Sequence, residues 1–216
     1  MTSDLYRIRF TGAELAAKNR VWQILCEDFF QRYVGENDRV LDLGAGYCEF
    51  INNIRCGLKM AADNNPYTVL KASDGVTVMI EPPPLILAEF LRHQFDVIFA
   101  SNFFEHLSMA DIHDWLEAAW GLLKPGSHLL ILGPNIIHVG FKFWDFPDHV
   151  TPLSDRSMSE LLQVHGFTIK EIIPNFLPYS FKSRFPTWSW IVRLYLKVPE
   201  LWPIFGRQMF ICAVRS

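Results

Sequence analysis

The segment Val40-Leu41-Asp42-Leu43-Gly44-Ala45-Gly46 decides how this 216-residue chain reads. Apolar positions run into an acidic residue and then into two glycines one residue apart. This is the pattern of a buried strand that ends in a tight turn, with a helix beginning near Cys48–Phe50. Glycines at such a turn let backbone N–H groups approach a ligand closely, and a helix N-terminus stands behind them. In open α/β sheets, ligands bind at the carboxyl ends of strands where the strand order reverses. The segment therefore marks a nucleotide-type site.

Strands and helices alternate on both sides of it. Residues 1–37 read as a helical lead-in, with Leu15, Val21, Trp22, Leu25, Phe29 and Tyr33 near helical spacing. Gly35-Glu36-Asn37-Asp38 is a turn, and Arg39–Leu43 is the first strand. Lys59–Ala62 and Val76–Ile80 are the next strands, with a helix expected over Tyr67–Ala72 between them. Phe95–Ala100 is an apolar run interrupted only by Asp96, which suits a central parallel strand. Ser108 and Asp111 form a capping box for a helix with Ile112, Trp115, Leu116, Ala119 and Leu122 on one face. Strands follow at His128–Leu132, Phe167–Ile173 and Gln208–Val214, and Ser154 caps a helix through about His165. Alternation of this kind gives an α/β fold, a three-layer sandwich around a mostly parallel sheet.

The composition sets the class. Half of the residues are hydrophobic and 14% are aromatic, enough for the core of one α/β domain over 1–216. A formal net charge of -3 argues against a nucleic-acid binder. Cys26, Cys48, Cys56 and Cys212 form no CxxC pair, so they read as reduced thiols in a cytoplasmic protein. The polar start and the lack of a long apolar run predict neither a leader nor a membrane span.

The glycine turn does not complete the dinucleotide fingerprint G-x-G-x-x-G, because Glu49 stands at its third glycine. Asp63 lies at the end of the second strand, about twenty residues on, where a carboxylate can take both ribose hydroxyls. Ribose recognition is thus supported and a pyrophosphate clamp is not.

Taken together, these motifs resemble class I S-adenosylmethionine-dependent methyltransferases of the type 11 and type 23 kind. Asp42-Leu43-Gly44-Ala45-Gly46 is similar to their first motif, with Cys48 where a third glycine is common. Asp63 matches the ribose acid. Phe95–Ala100 followed by Glu105-His106-Leu107 matches the fourth-strand motif, and Leu122-Leu123-Lys124-Pro125-Gly126-Ser127 the turn before the fifth strand. The resemblance continues through His165-Gly166-Phe167 and so covers residues 39–173. It implies a Rossmann-like seven-stranded sheet whose last strand, Gln208–Val214, is antiparallel. It also implies S-adenosyl-L-methionine as cofactor. Asp42 would face the methionine amine, and Gly44, Ala45 and Gly46 would pass close to it. Asp63 and Asn64 would lie at the ribose, Glu81 near adenine, and Ser101 and Asn102 near the transferring methyl.

A hydroxyl acceptor needs a group to take its proton. Glu105, His106, Asp145, Asp148 and His149 are the candidates, with His149 and His106 preferred as catalytic residues and Glu105 read as a loop anchor. No standard metal-ligand spacing is present, so no metal is expected. Within the long loop 136–153, Trp144–His149 would form the acceptor pocket together with Asn175–Arg207, which holds an aromatic insertion at 175–206. The insertion carries Lys182, Arg184, Arg193 and Lys197 among Phe176, Tyr179, Phe181, Phe185, Trp188, Trp190 and Tyr195. It reads as a lid over an acceptor with an anionic or lipid-linked portion, a peripheral membrane contact, a homodimer interface, or a satellite core, and the acceptor itself is expected to be a small-molecule or saccharide-like compound. Tyr6, Arg7 and Arg9 are placed either over the ligand or on the surface. A non-catalytic methyltransferase-like binding protein and a nucleotide-dependent oxidoreductase are the other functional classes open at this point.

Overall fold

The computed structural model describes residues 12–179 and 188–216. The expectations for Tyr6, Arg7, Arg9, Phe181, Lys182, Arg184 and Phe185 lie outside these residues. Seven strands form one sheet: β1 (Arg39–Leu43), β2 (Leu58–Asp63), β3 (Val76–Ile80), β4 (Phe95–Ser101), β5 (Leu123–Pro134), β6 (Phe167–Leu177) and β7 (Gln208–Arg215). Their order is β3-β2-β1-β4-β5-β7-β6. All pairings are parallel except those of β7, which runs antiparallel to β5 and β6. The chain leaves β1 towards β2 and β3 and returns on the other side at β4. The reversal of strand order thus falls between β1 and β4, and their carboxyl ends open onto one crevice.

Alternating side chains of the central strands feed two cores. On one face Val97, Phe99, Leu130 and Phe210 pack under α1 (Gly12–Asp28), α2 (Glu49–Asn53) and α7 (Ser189–Lys197). On the other, Ile98, Ala100, Leu129 and Ile131 pack under α3 (Pro84–Phe90), α4 (Met109–Leu122) and α6 (Asp155–Val164). α4 and α6 both start with the expected serine caps, Ser108 with Asp111 and Ser154 with Ser157.

Three boundaries differ from the sequence expectation. Pro66–Leu70 is a single 3-10 turn capped by Asn65, not a helix to Ala72. β5 starts at Leu123, directly after α4, because Leu123 is already extended and pairs with Phe95, and Gly126 at φ 80° falls in the irregular stretch before His128 pairs with Val97. β6 runs past Ile173 to Leu177 and takes in Pro174. Proline cannot donate to a ladder, and it sits in the register shift between Ile173 and Leu177. The segment after β5 also carries a short α5 (Ile136–Val139) and a 3-10 turn over Gly140–Asp145.

The aromatic insertion divides in two. Phe176 and Tyr195 are buried with Phe29, and the Tyr195 hydroxyl donates to the Phe176 carbonyl at 2.5 Å. Here the satellite-core reading is the one the structure favours. Trp188 and Trp190 are instead exposed on α7. Arg193 does not add free positive charge to a basic surface, because it is spent on Glu27 at 2.8 Å and on Asp28 of α1. A short α8 (Trp202–Phe205) leads into β7. Among the described residues no helix is long and apolar enough to cross a membrane.

Replacing Phe176 with alanine is expected to cost about 3–5 kcal/mol of stability, whereas Trp190→Ala should cost less than about 0.5 kcal/mol. Urea unfolding of the two variants beside the parent chain checks both.

Candidate active site

The turn after β1 is built from left-handed residues. Gly44 (φ 66°), Gly46 (φ 54°) and Cys48 (φ 61°) alternate through it. A side chain at Gly44 would put its Cβ 2.6 Å from the Phe103 ring, so only glycine fits there. The third position is the one where the sequence departs from the family pattern. Cys48 nevertheless adopts the glycine-like conformation, fully buried, with its thiol 3.8 Å from the Thr68 carbonyl. Burial pushes that thiol up to about 12, so it stays protonated and unreactive.

The turn is fastened to β2. Gly44 N–H donates to the Ala62 carbonyl at 2.8 Å, and the Thr68 hydroxyl donates to the Gly46 carbonyl at 2.8 Å. The Asp63 carboxylate accepts from Gly46 N–H at 2.6 Å and from Asn65 N–H at 2.7 Å. Asp63 thus shapes the glycine turn from its far side.

One cleft opens where the carboxyl ends of β1 and β4 diverge. It holds about 950 Å³ of empty space continuous with solvent. Of the residues singled out in the sequence, Asp42, Gly44, Ala45, Gly46, Ser101, Asn102, His106 and His149 line it. Asp63, Asn64 and Glu81 end β2 and the strand beside it without forming its wall. Asn64 and Glu81 are exposed, and Asp145 is also exposed and outside it.

Sequence reasoning missed several lining residues. Lys18 and Trp22 come from α1, Glu49 from the first turn of α2 and Gln208 from β7, whereas Phe146 and Tyr179 come from the two segments expected at the acceptor pocket. Nothing in the local sequence ties α1 or β7 to the glycine turn, so no motif could have found them. Lys18 meets Glu49 at 2.8 Å in a half-buried ion pair at the cleft wall.

Asp42 lies on the floor and is buried. Desolvation, with the charges of Glu49 and Asp63 added to it, holds its carboxyl well above the usual carboxylate range. A buried carboxyl with no cation beside it is prepared for a positively charged ligand group.

The opposite wall is assembled from two loops. Glu105 and His106 sit in the 3-10 turn Phe104–His106 that follows β4. The carbonyl of Glu105 accepts from Val150 N–H at 2.8 Å and from Thr151 N–H at 3.2 Å, and the Thr151 hydroxyl donates to the Leu107 carbonyl at 2.6 Å. These bonds draw the segment after β5 across the cleft and set the His149 ring 5.0 Å from that of His106. Glu105, which the sequence reading treated as an anchor, serves as one through its carbonyl. Its carboxyl also faces the cleft, where burial raises it to about 7. One ligand atom each from Glu105, His106 and His149 lies within 4.8 Å of the others. Asp145 lies outside this group, whereas Asp148 adjoins it through His106, whose Nδ1 lies 2.9 Å from the Asp148 carbonyl.

A family model described as a methyltransferase domain matches residues 18–172. The chain belongs to this family. It is an S-adenosylmethionine-dependent methyltransferase, which removes both the oxidoreductase and the non-catalytic readings. Among curated proteins no sequence matches it. The methyltransferase is similar in fold to a SAM-dependent methyltransferase from Archaeoglobus fulgidus, at 19% identity over 91% of this chain and 94% of that one, with a TM-score of 0.67. A second similar structure is an S-adenosylmethionine-dependent methyltransferase from Mesorhizobium loti, at 16% identity over 85% and 94% of the two chains, TM-score 0.57. A third is phosphoethanolamine N-methyltransferase 2 from Haemonchus contortus, bound to phosphomonomethylethanolamine and S-adenosylhomocysteine, at 15% identity over 94% and 57%, TM-score 0.61.

The cleft fits the cofactor. The buried Asp42 carboxyl lies on the cleft floor, the Lys18–Glu49 ion pair stands at its wall, and the left-handed turn exposes backbone to the ligand. Because the Asp42 pKa is raised on folding, the folded chain holds that proton more tightly than the unfolded one. Stability from this group is therefore greatest in acid and falls as pH rises from the ordinary carboxylate range through the folded pKa. Asp42→Asn is expected to be more stable than the parent chain at pH 8 and to lose that advantage towards pH 4, while binding S-adenosylmethionine at least ~10-fold more weakly. Denaturant melts at both pH values and calorimetric titration of the cofactor test the pair of effects.

Proposed function

We propose that the methyltransferase O-methylates a small, hydroxyl-bearing acceptor of saccharide-like character. The observation that carries this reading is the Glu105–His106–His149 cluster, which faces the glycine turn across one cleft. S-adenosylmethionine, when bound, supplies a methyl group already activated on a sulfonium. The protein is left to bind, align, exclude water and manage one proton.

On the cofactor side, Asp42 and Lys18 take the ammonium and carboxylate ends of the methionine portion. Asp63 and Asn64 would hold the ribose and Glu81 would stand by the adenine, from the ends of neighbouring strands. Ser101 and Asn102, at the end of β4, stand between the two halves of the cleft.

On the acceptor side, the cluster draws the proton from the acceptor hydroxyl. Phe146 and Tyr179 pack edge-to-face at 5.5 Å and offer apolar faces to a ring. Gln208 is buried in the cleft wall and its Nε2 donates to the Pro178 carbonyl at 2.7 Å. Its Oε1 has no hydrogen-bond partner among the described residues. An orphan acceptor of this kind favours a ligand that brings a hydroxyl.

A methyl-donor turnover assay over pooled polyhydroxylated acceptors tests the reading. His149→Ala is expected to lower kcat by about 100-fold or more. Lys18→Ala is expected to weaken cofactor binding by about 10-fold, the worth of one charge-assisted hydrogen bond. Turnover confined to amine acceptors, or full activity in His149→Ala, would reject O-methylation by this cluster.

A further inference from the structure

The geometry points to a metal site: Glu105, His106 and His149 hold one divalent first-row transition ion at the acceptor end of the cleft. Their ligand atoms all lie within 4.8 Å of one another. Ligands bound at about 2.1 Å to a shared ion stand roughly 3 to 4 Å apart, so a small contraction closes the shell. Two imidazoles and one carboxylate are the donor set of Zn²⁺ and Fe²⁺ sites that keep positions open for a substrate.

The surroundings are those of ligands held ready. His106 Nδ1 lies 2.9 Å from the Asp148 carbonyl. A carbonyl only accepts, so Nδ1 carries the proton and Nε2 keeps its lone pair. The Asp148 carboxylate stands 3.6 Å from the same nitrogen. Such outer carbonyl and carboxylate partners fix the tautomer of metal-binding histidines. The His149 ring is held between Phe143, at 4.5 Å, and Phe146, at 5.1 Å. Glu105 is 4% exposed, and among the described residues no lysine or arginine pairs with it. Buried carboxylates are normally paired or bound to a metal. The backbone beneath the three ligands is fixed by the bonds from Val150 and Thr151 to Glu105.

This inference rests on the acceptor-site reading only for its catalytic consequence. An ion placed there would raise the acidity of an acceptor hydroxyl beside it, so that its proton leaves to solvent as the oxygen takes the methyl group. Binding of the ion itself is independent of turnover.

The test is a titration of the chelator-treated chain with Mn²⁺, followed by electron paramagnetic resonance, and with Zn²⁺, followed by calorimetry. No cofactor or acceptor is present. One ion per chain is expected, weakened at least ~10-fold in both Glu105→Gln and His149→Ala. His113→Ala serves as the control, because His113 and His165 pair at 2.8 Å on the surface and are the other histidine cluster open to a stray ion. It should leave binding intact. Thermal unfolding guards against misfolded variants, since the ion should raise the Tm of the parent chain and not of a folded Glu105→Gln. Absence of stoichiometric binding, or binding lost in His113→Ala and kept in His149→Ala, overturns the metal site. Either of these with S-adenosylhomocysteine still bound leaves the methyltransferase reading standing.

Discussion

The strained turn between β1 and α2 is the constraint on which the rest of the site depends. Three left-handed residues in alternation cost conformational energy, and one of them is not glycine. What keeps them there is a set of bonds from the neighbouring strand: Ala62 and Asp63 on one side and Thr68 on the other. With the turn pinned, the floor of the cleft is backbone, and Asp42 beneath it is buried. The raised carboxyl follows directly from that burial. Phe103 closes the arrangement, because its ring packs where a Gly44 side chain would lie.

The acceptor wall answers a different physical demand. Residues 136–153 have little regular structure to hold them, and polar anchors do so at both ends. At the base, Asn135 is fully buried and donates to Asp155 at 2.7 Å and to the Pro174 carbonyl at 3.0 Å. At the tip, the Glu105 carbonyl takes two backbone N–H groups. Glu105 consequently has two tasks, one for its main chain and one for its side chain. The same 3-10 turn that anchors the loop brings the carboxyl to the cleft.

The cleft is closed from the side by elements that come from the two ends of the chain. α1 contributes Lys18 and Trp22, and β7 contributes Gln208. α1 is kept in place by aromatic packing of Phe29 on Phe176 and by Arg193 reaching Glu27 and Asp28. The ion pairs are largely exposed and add little by themselves; the stacked rings are buried and carry the attachment. Part of the aromatic insertion therefore acts on the site indirectly, by fixing the helix that covers it.

The sequence by itself determined the alternation of strands and helices, the glycine turn and, through its resemblance to class I methyltransferases, the cofactor. These depend on local signals: a strand that stops at glycines, an acid at the end of the next strand, serine caps on α4 and α6, and an apolar run in β4. Each is written within a few neighbouring residues, so it can be read without the rest of the chain. Even the unusual Cys48 was visible as a departure, although only the backbone angles show that it takes the glycine conformation rather than avoiding it. The tertiary structure alone decided the acceptor side. Glu105 is tied to the segment carrying His149 by hydrogen bonds that span more than forty positions, and Lys18 and Gln208 line the same cleft from opposite ends of the chain. Grouping of this kind comes from the sheet order, which sets β1, β4 and β5 side by side, and no local spacing of residues encodes it.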